Sequence, residues 1–227
     1  MTAKELVHAF AGNPLDRGTS IRHSGDKINA MKELPSAKYL VFQDLKVLTN
    51  DGAIDYVAYR SLPKLRGDQI FLGTLNNVPY FAVQTDDGDF GEFTDCRQVV
   101  RQKDLSQSGI VAQARSMLAW HRKNPFCSRC GNKTALERGG QLKRCFACNA
   151  TTHPRIDPVV IMLIEHPDDQ NLCLLGKSQG RMASSNFYSA LAGFVDQGES
   201  LEEAVRREVL EESGVFVDGL KYHSSQP

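Results

Sequence analysis

The stretch GFVDQGESLEEAVRREVLEESGV, residues 193–215, places seven carboxylates in the seventeen positions from Asp196 to Glu212, answered nearby only by Arg206 and Arg207. Like charges at i,i+4 on a helix cost about 0.2–0.5 kcal/mol per pair, so the crowding calls for a reason. Ser200-Leu201-Glu202-Glu203 has the form of a capping box and predicts a helix start at Ser200. Gly214 is the matching C-terminal stop. Leu201, Val205 and Val209 supply the expected packed stripe. Glu208, Glu211 and Glu212 then project from a turn and a half of one helix.

A solvated helix face accounts for Glu202 and Glu203. It does not account for three clustered carboxylates backed by Glu199 and the glycine-flanked loop 193–198, directly after an apolar strand. Such a set, without a cationic partner, suits a hard cation: Mg²⁺ takes oxygen ligands together with waters and substrate phosphates. It would neutralise phosphate charge and activate a water. The pattern Gly193-x5-Glu199-x7-Arg207-Glu208-Val209-x-Glu211-Glu212-x-Gly214-Val215 matches the Nudix box at every specified position.

Working outward, DPVVIMLIEH (157–166) is a continuous aliphatic run, the sign of a strand buried on both faces. NLCLLGKS is expected as its hairpin partner, GRMASSNFYS as a polar loop, and ALAGF as a short strand leading into the acidic helix. Upstream, Cys127-x2-Cys130-x14-Cys145-x2-Cys148 has the spacing of a zinc ribbon, each pair on one tight knuckle. Gly131 and Asn149 follow the knuckles, where a left-handed backbone is often required. Arg129, Lys133, Arg138, Lys143 and Arg144 are available to offset the thiolate charge. Four thiolates leave no open coordination position, so the zinc is expected to be structural. Redox or disulfide pairing, and a ribbon that binds nucleic acid or protein, are the competing readings. Cys96 and Cys173 read as ordinary reduced thiols.

Residues 1–105 read as mostly β, in short runs (KYLVFQDLKVLT, AIDYVAYRSL, QIFLGTL, VPYFAVQ) bounded by turns at Asn50-Asp51-Gly52 and Asp87-Gly88. SQSGIVAQARSMLAWHRKN changes to helical spacing, with Ile110, Ala114, Met117 or Leu118, and His121 on one face and serines available as caps. The 27 basic and 27 acidic side chains cancel, which removes any bulk electrostatic pull toward nucleic acid or an anionic membrane. The N-terminus lacks the apolar core of a signal peptide, and no apolar run reaches the roughly 18–20 residues of a membrane helix. These features predict an intracellular chain with no membrane partner.

With a zinc ribbon ahead of a Nudix box, the chain resembles the NADH pyrophosphatase branch of the Nudix hydrolases. The likeness runs through FAGNPLDR, FLGTLNNVPYFAV, ARSMLAWHRKNPFCSRCG, HPRIDPVVIML, SALAGFVDQGESLEEAVRREVLEESG and the terminal SSQP. It implies an α+β chain: a β-rich N-terminal NADH-pyrophosphatase-like domain (1–123), a zinc ribbon (124–156) and a partial α/β/α Nudix fold (157–227). Enzymes of this family cleave NAD(H), as NADH or NAD⁺, to nicotinamide mononucleotide and AMP, and some remove NAD caps from RNA. They are homodimers that use Mg²⁺ or Mn²⁺ and carry a structural zinc.

Carried over by position, the resemblance implies Glu208, Glu212 and the Ala192 carbonyl as magnesium or manganese ligands, and Glu211 as a further box carboxylate. Glu199 and Arg207 would brace the loop against the helix. Phe194 would stack on the nicotinamide, with His153 where many members have a tyrosine, and Gln226 and Pro227 would belong to the substrate-binding segment. The family's hallmark continues past Ser-Gln-Pro as Trp-Pro-Phe-Pro, followed by a further strand, another metal-binding glutamate and a last helix. The chain is therefore expected to be C-terminally truncated, to lack partners for strand 157–165, and to be poorly stable alone. The alternatives are a Nudix hydrolase for another nucleoside diphosphate derivative (ADP-ribose, diadenosine polyphosphate or coenzyme A) and, for a natural truncation, a non-catalytic binding or dimerisation product. The resemblance implies a cytoplasmic protein, or a peroxisomal one in a eukaryote.

Overall fold

The computed structural model describes residues 8–61, 67–86, 90–102, 107–169, 171–177 and 186–227. The expected Asp87-Gly88 turn and the start of the GRMASSNFYS loop lie outside the described residues. The chain is α+β and divides into two compact units, 1–154 with 224–227, and 155–223.

In the first unit, helix α1 (Gly25–Lys32) precedes strands β1 (Lys38–Gln43), β2 (Lys46–Asn50), β3 (Ala53–Ile54), β4 (Tyr56–Ala58), β5 (Ile70–Leu75), β6 (Val78–Gln84) and β7 (Glu92–Thr94). These form one sheet ordered β3-β2-β1-β6-β5, with β4 also on β1 and β7 on β2. Neighbours are antiparallel except β1 and β6, which run parallel. The β2–β3 hairpin turns at Asp51 and Gly52, both at positive φ (49° and 76°), as the Asn-Asp-Gly reading expects for a tight hairpin.

Period-two alternation sends Leu40 and Phe42 of β1 into one core cluster and Tyr39 and Val41 into another. Both faces of this strand are thus covered. Helix α2 (Cys96–Gln102) is followed by α3 (Ser108–Lys123), which buries Ile110, Val111, Ala114, Met117, Leu118 and His121. The expected apolar stripe is present. The expected serine cap is not: Gln107 is the N-cap, without a side-chain bond, and Ser108 Oγ instead accepts from the Phe10 amide. Helices α1 and α2 carry little apolar periodicity and were not anticipated. Cys96 is buried and Cys173 exposed, both as free thiols.

Strands β8 (Thr134–Glu137), β9 (Leu142–Cys145) and β10 (Thr151–Thr152) form a small antiparallel sheet around the cysteines. It is tied to the end of α3. Lys143, buried, donates from Nζ to the His121 and Asn124 carbonyls at 3.0 and 2.8 Å. A cation at a helix C-terminus satisfies orphan carbonyls and complements the dipole, while burial lowers the lysine's pKa. His121 Nε2 lies 2.8 Å from the Gly140 carbonyl and must therefore be the protonated ring nitrogen. This corrects the charge-offset reading: Lys143 caps a helix, and Arg144 is committed to Glu137 and Asn149, at 2.8 Å each.

In the second unit, β11 (Val159–Met162) pairs antiparallel with β16 (Leu191–Phe194), β12 (Ile164–Glu165) with β13 (Cys173–Leu174), and β14 (Gly176–Lys177) with β15 (Tyr188–Ser189). Helix α4 (Leu201–Ser213) packs on the β11–β16 pair through Ala204 and Val209. As expected, NLCLLGKS is a hairpin partner of the run 157–166: β13 turns back on the end of that run, β12, while ALAGF pairs with its start, β11. Two expectations are corrected. Strand β11 is covered on one face only: Val160 and Met162 are buried, whereas Val159 and Ile161 are 47% and 72% exposed. Among the described residues α4 is the one layer over this pair, so alternate side chains face solvent. Leu201, expected in the α4 stripe, is exposed, and Ala204 takes the buried position.

Candidate functional site

Strand β16 ends at Phe194, and the loop 195–200 delivers the chain to α4. Val195 donates to the Pro158 carbonyl (3.0 Å), and Glu199 donates to the Asp196 carbonyl (3.2 Å). Ser200 caps α4 as expected, accepting from the Glu203 amide while Glu203 Oε2 accepts from the Ser200 amide. Gly214 closes the helix at φ +71°.

Arg207 is the hub of the site. Its Nε and Nη2 donate to the two oxygens of Glu199 at 2.6 and 2.9 Å, a bidentate pair. Its Nη1 reaches Glu208 Oε1 at 2.9 Å and Glu211 Oε2 at 3.3 Å, and Nη2 also reaches the Phe194 carbonyl at 2.9 Å. One guanidinium thus ties strand, loop and helix together. The carboxylates are not without a cationic partner, although one guanidinium against three of them leaves the cluster anionic. The i,i+4 spacing of Arg207 and Glu211 signalled one of these contacts in advance. The bonds to Glu208 and Phe194 require the strand and helix to be docked.

Glu208 is 14% exposed and Glu211 60%. The Glu208 carboxylate occupies the space over Gly193 that a Cβ there would fill. Gly193 lies mid-strand opposite Val160, so its role is close approach. The match to the box pattern marked this glycine without revealing that reason. Ala192 precedes it in β16, opposite Ile161. Glu212 is exposed on α4, and Phe194 is exposed at the strand's end. His153, Gln226 and Pro227 belong to the first unit and are exposed.

The Arg207 guanidinium, then the Asp196 amide, hold the Glu199 carboxyl down at about 2. Hydrogen bonds to Glu199 and then Glu208 raise the Arg207 pKa in turn. A depressed carboxyl stabilises the fold fully above its unfolded value and loses that contribution as pH falls through the folded one. The brace is therefore expected to hold through the ordinary glutamate range and to release only toward pH 2. A carboxyl-carbon NMR titration of Glu199 checks this. A midpoint near 4.5 would show that Arg207 does not grip it.

The four cysteines are, among the described residues, the one set of three or more His, Cys, Asp or Glu side chains whose ligand atoms converge, all within 4.8 Å of one another. Cys127 and Cys148 Sγ are 3.6 Å apart, and Cys130 and Cys145 Sγ 3.4 Å. A tetrahedron with Zn–S bonds of about 2.3 Å has edges of about 3.8 Å, so the cluster can hold a metal of that kind. Gly131 (φ +73°) and Asn149 (φ +58°) take the left-handed conformation expected after each knuckle. The Asn132 side chain and amide bring the Cys130 thiol down to about 6. Against the pull of the Ala150 amide, the neighbouring sulfurs push Cys148 up to about 12, so metal binding would have to displace the protons the cluster still holds.

The model of the NADH pyrophosphatase-like rudimentary NUDIX domain matches residues 36–120, and that of the NUDIX domain matches 155–227. Human NAD-capped RNA hydrolase NUDT12 is 32% identical over 99% of this chain and 60% of its own. Nudix hydrolase 19, chloroplastic, from Arabidopsis thaliana is 44% identical over 100% and 63%. NAD-capped RNA hydrolase NudC from Deinococcus radiodurans is 32% identical over 85% and 68%. The chain thus spans about three fifths of the human and plant relatives' length. With both halves matched and the bacterial relative covered over most of its length, the chain belongs to the Nudix hydrolases, in the branch whose Nudix domain follows an NADH pyrophosphatase-like domain.

Proposed function

We propose that the protein hydrolyses the pyrophosphate bond of NAD(H), giving AMP and nicotinamide mononucleotide, and that NAD-capped RNA is a second substrate. The observation that carries the reading is the seating of Glu208, a partly buried carboxylate laid over a strand glycine and held by an arginine that is itself clamped to Glu199. Glu208, Glu212 and the Ala192 carbonyl would hold Mg²⁺ or Mn²⁺, with Glu211 beside them; the all-oxygen donor set fits these hard cations. When bound, the cation neutralises pyrophosphate charge and lowers the pKa of the attacking water. Water adds to one phosphorus, and the bridging oxygen leaves with the other phosphate.

The chain's own contribution is positioning. Arg207 and Glu199 fix the carboxylates before substrate arrives, so no reorganisation is needed during the reaction. The exposed Phe194 ring offers a stacking face for the nicotinamide; for His153, Gln226 and Pro227 the family resemblance alone supplies a substrate role. The four cysteines would hold a structural zinc. The same reading divides the chain at 1–123, 124–156 and 157–227 and takes it as one subunit of an intracellular homodimer, cytoplasmic or peroxisomal. Among the described residues no helix is long and apolar enough to cross a membrane. The names of the human and bacterial relatives, NAD-capped RNA hydrolases, support the substrate class.

Incubation of the full-length protein with NADH and Mg²⁺, with products separated by chromatography, tests the substrate. AMP and the reduced mononucleotide are expected, with slower cleavage of ADP-ribose, diadenosine polyphosphate and coenzyme A. Intact NADH beside a cleaved competitor would overturn the substrate assignment.

A further inference from the structure

Arg22, His23, Arg138, Gln141, His153 and Pro154 line an open cleft of about 350 Å³ within the first unit. None of the six is acidic, and among the described residues neither Arg22 nor Arg138 enters an ion pair. The field of Arg22 reaches its neighbours: the Arg17 guanidinium is held below its usual pKa, by burial first and by the Arg22 charge second.

Arg138 is set by an unusual backbone. It sits at φ +51°, followed by Gly139 and Gly140 at +64° and +97°, a conformation that a non-glycine residue adopts only when its surroundings enforce it. The two glycines that follow lie close against the sheet. A Cβ on Gly139 would come within 2.9 Å of Phe71 Cβ and 3.0 Å of Ile28 Cδ1, and one on Gly140 within 2.9 Å of Ile70 Cγ2. The turn is pressed against the sheet, and Gln141 anchors its far side by donating from Nε2 to the Phe71 carbonyl at 3.4 Å. Two guanidinium forks and two imidazoles thus gather in one concavity, with no acidic side chain among its described walls.

We infer that this cleft is a binding site for the phosphate of a nucleotide-sized phosphomonoester, read by the Arg22 and Arg138 guanidinium groups. Planar guanidinium forks match phosphate oxygens in pairs, and the volume suits a small ligand. The site uses no box residue; it shares His153 with the substrate contacts that the resemblance implies, but its phosphate reading is carried by Arg22 and Arg138.

Calorimetric titration of the full-length protein with AMP, without added divalent cation, is the test, with inorganic phosphate and adenosine as separate arms. AMP and phosphate are expected to bind and adenosine not to. Arg138→Gly removes the fork while relieving the left-handed strain, so it should fold at least as well as wild type. It and Arg22→Gln are each expected to weaken AMP about tenfold or more, the loss of a charge-assisted contact, and Glu208→Gln is expected to leave AMP binding unchanged. Absence of AMP binding, adenosine binding as well as AMP, or wild-type affinity in both arginine variants would each overturn the assignment.

Discussion

Replacing Gly193 by alanine is expected to lower turnover about a hundredfold, the scale of a misplacement of about 1 Å in a catalytic group. The added methyl overlaps the Glu208 carboxylate, and Glu208 cannot simply withdraw, because Arg207 holds it while gripping Glu199, Glu211 and the Phe194 carbonyl. Either the strand shifts away from α4 or the whole brace turns. Overpacking of this kind costs about 1–3 kcal/mol of stability. Steady-state kinetics with a parallel thermal melt separate the two effects. A modest fall in melting temperature with a far larger fall in turnover is expected, and wild-type turnover would show that the position of Glu208 is unimportant.

The second large effect concerns the thiol cluster. Purified protein is expected to carry about one zinc per chain, and Cys145→Ser to lose it. Cys145 is fully buried, and its Sγ lies 3.4 Å from that of Cys130. Zinc binding in small ribbons and fingers is worth about 10–16 kcal/mol of apparent folding free energy, as much as the whole stability of many domains. Lys143 on the α3 carbonyls and the Arg138–Gly140 turn on the sheet both issue from this small unit, so its loss should loosen the end of α3 as well. Elemental analysis and amide exchange over 127–152 are the measurements. Zinc-free wild-type protein, or a variant that keeps its metal, would contradict the structural role.

The parts of the fold that could be read in advance are those with local causes. Ser200 and Gly214 bound α4 because capping is settled within one turn. Gly131 and Asn149 turn left-handed because the knuckles demand it, and α3 buries the face its spacing marks out. What escaped depends on distant partners. The apolar run at 157–166 shows what could be buried, not how many layers arrive, and α4 covers one face alone among the described residues. Lys143 read as a counter-charge because nothing local shows that helix carbonyls 22 and 19 residues away receive its ammonium. Within the site, the i,i+4 contact of Arg207 with Glu211 was visible in the spacing. Its hold on Phe194 and the fit of Glu208 over Gly193 arise only when strand packs on helix.

The most direct measurement is the turnover of NADH with Mg²⁺ by the Glu208→Gln variant of the full-length protein. The substitution keeps the side chain's size over Gly193 and removes only its charge. If Glu208 holds the cation, turnover should fall about a thousandfold, as for loss of a central electrostatic group, with the melting temperature little changed. Turnover within a few-fold of wild type would contradict the claim that this carboxylate is the centre of the site.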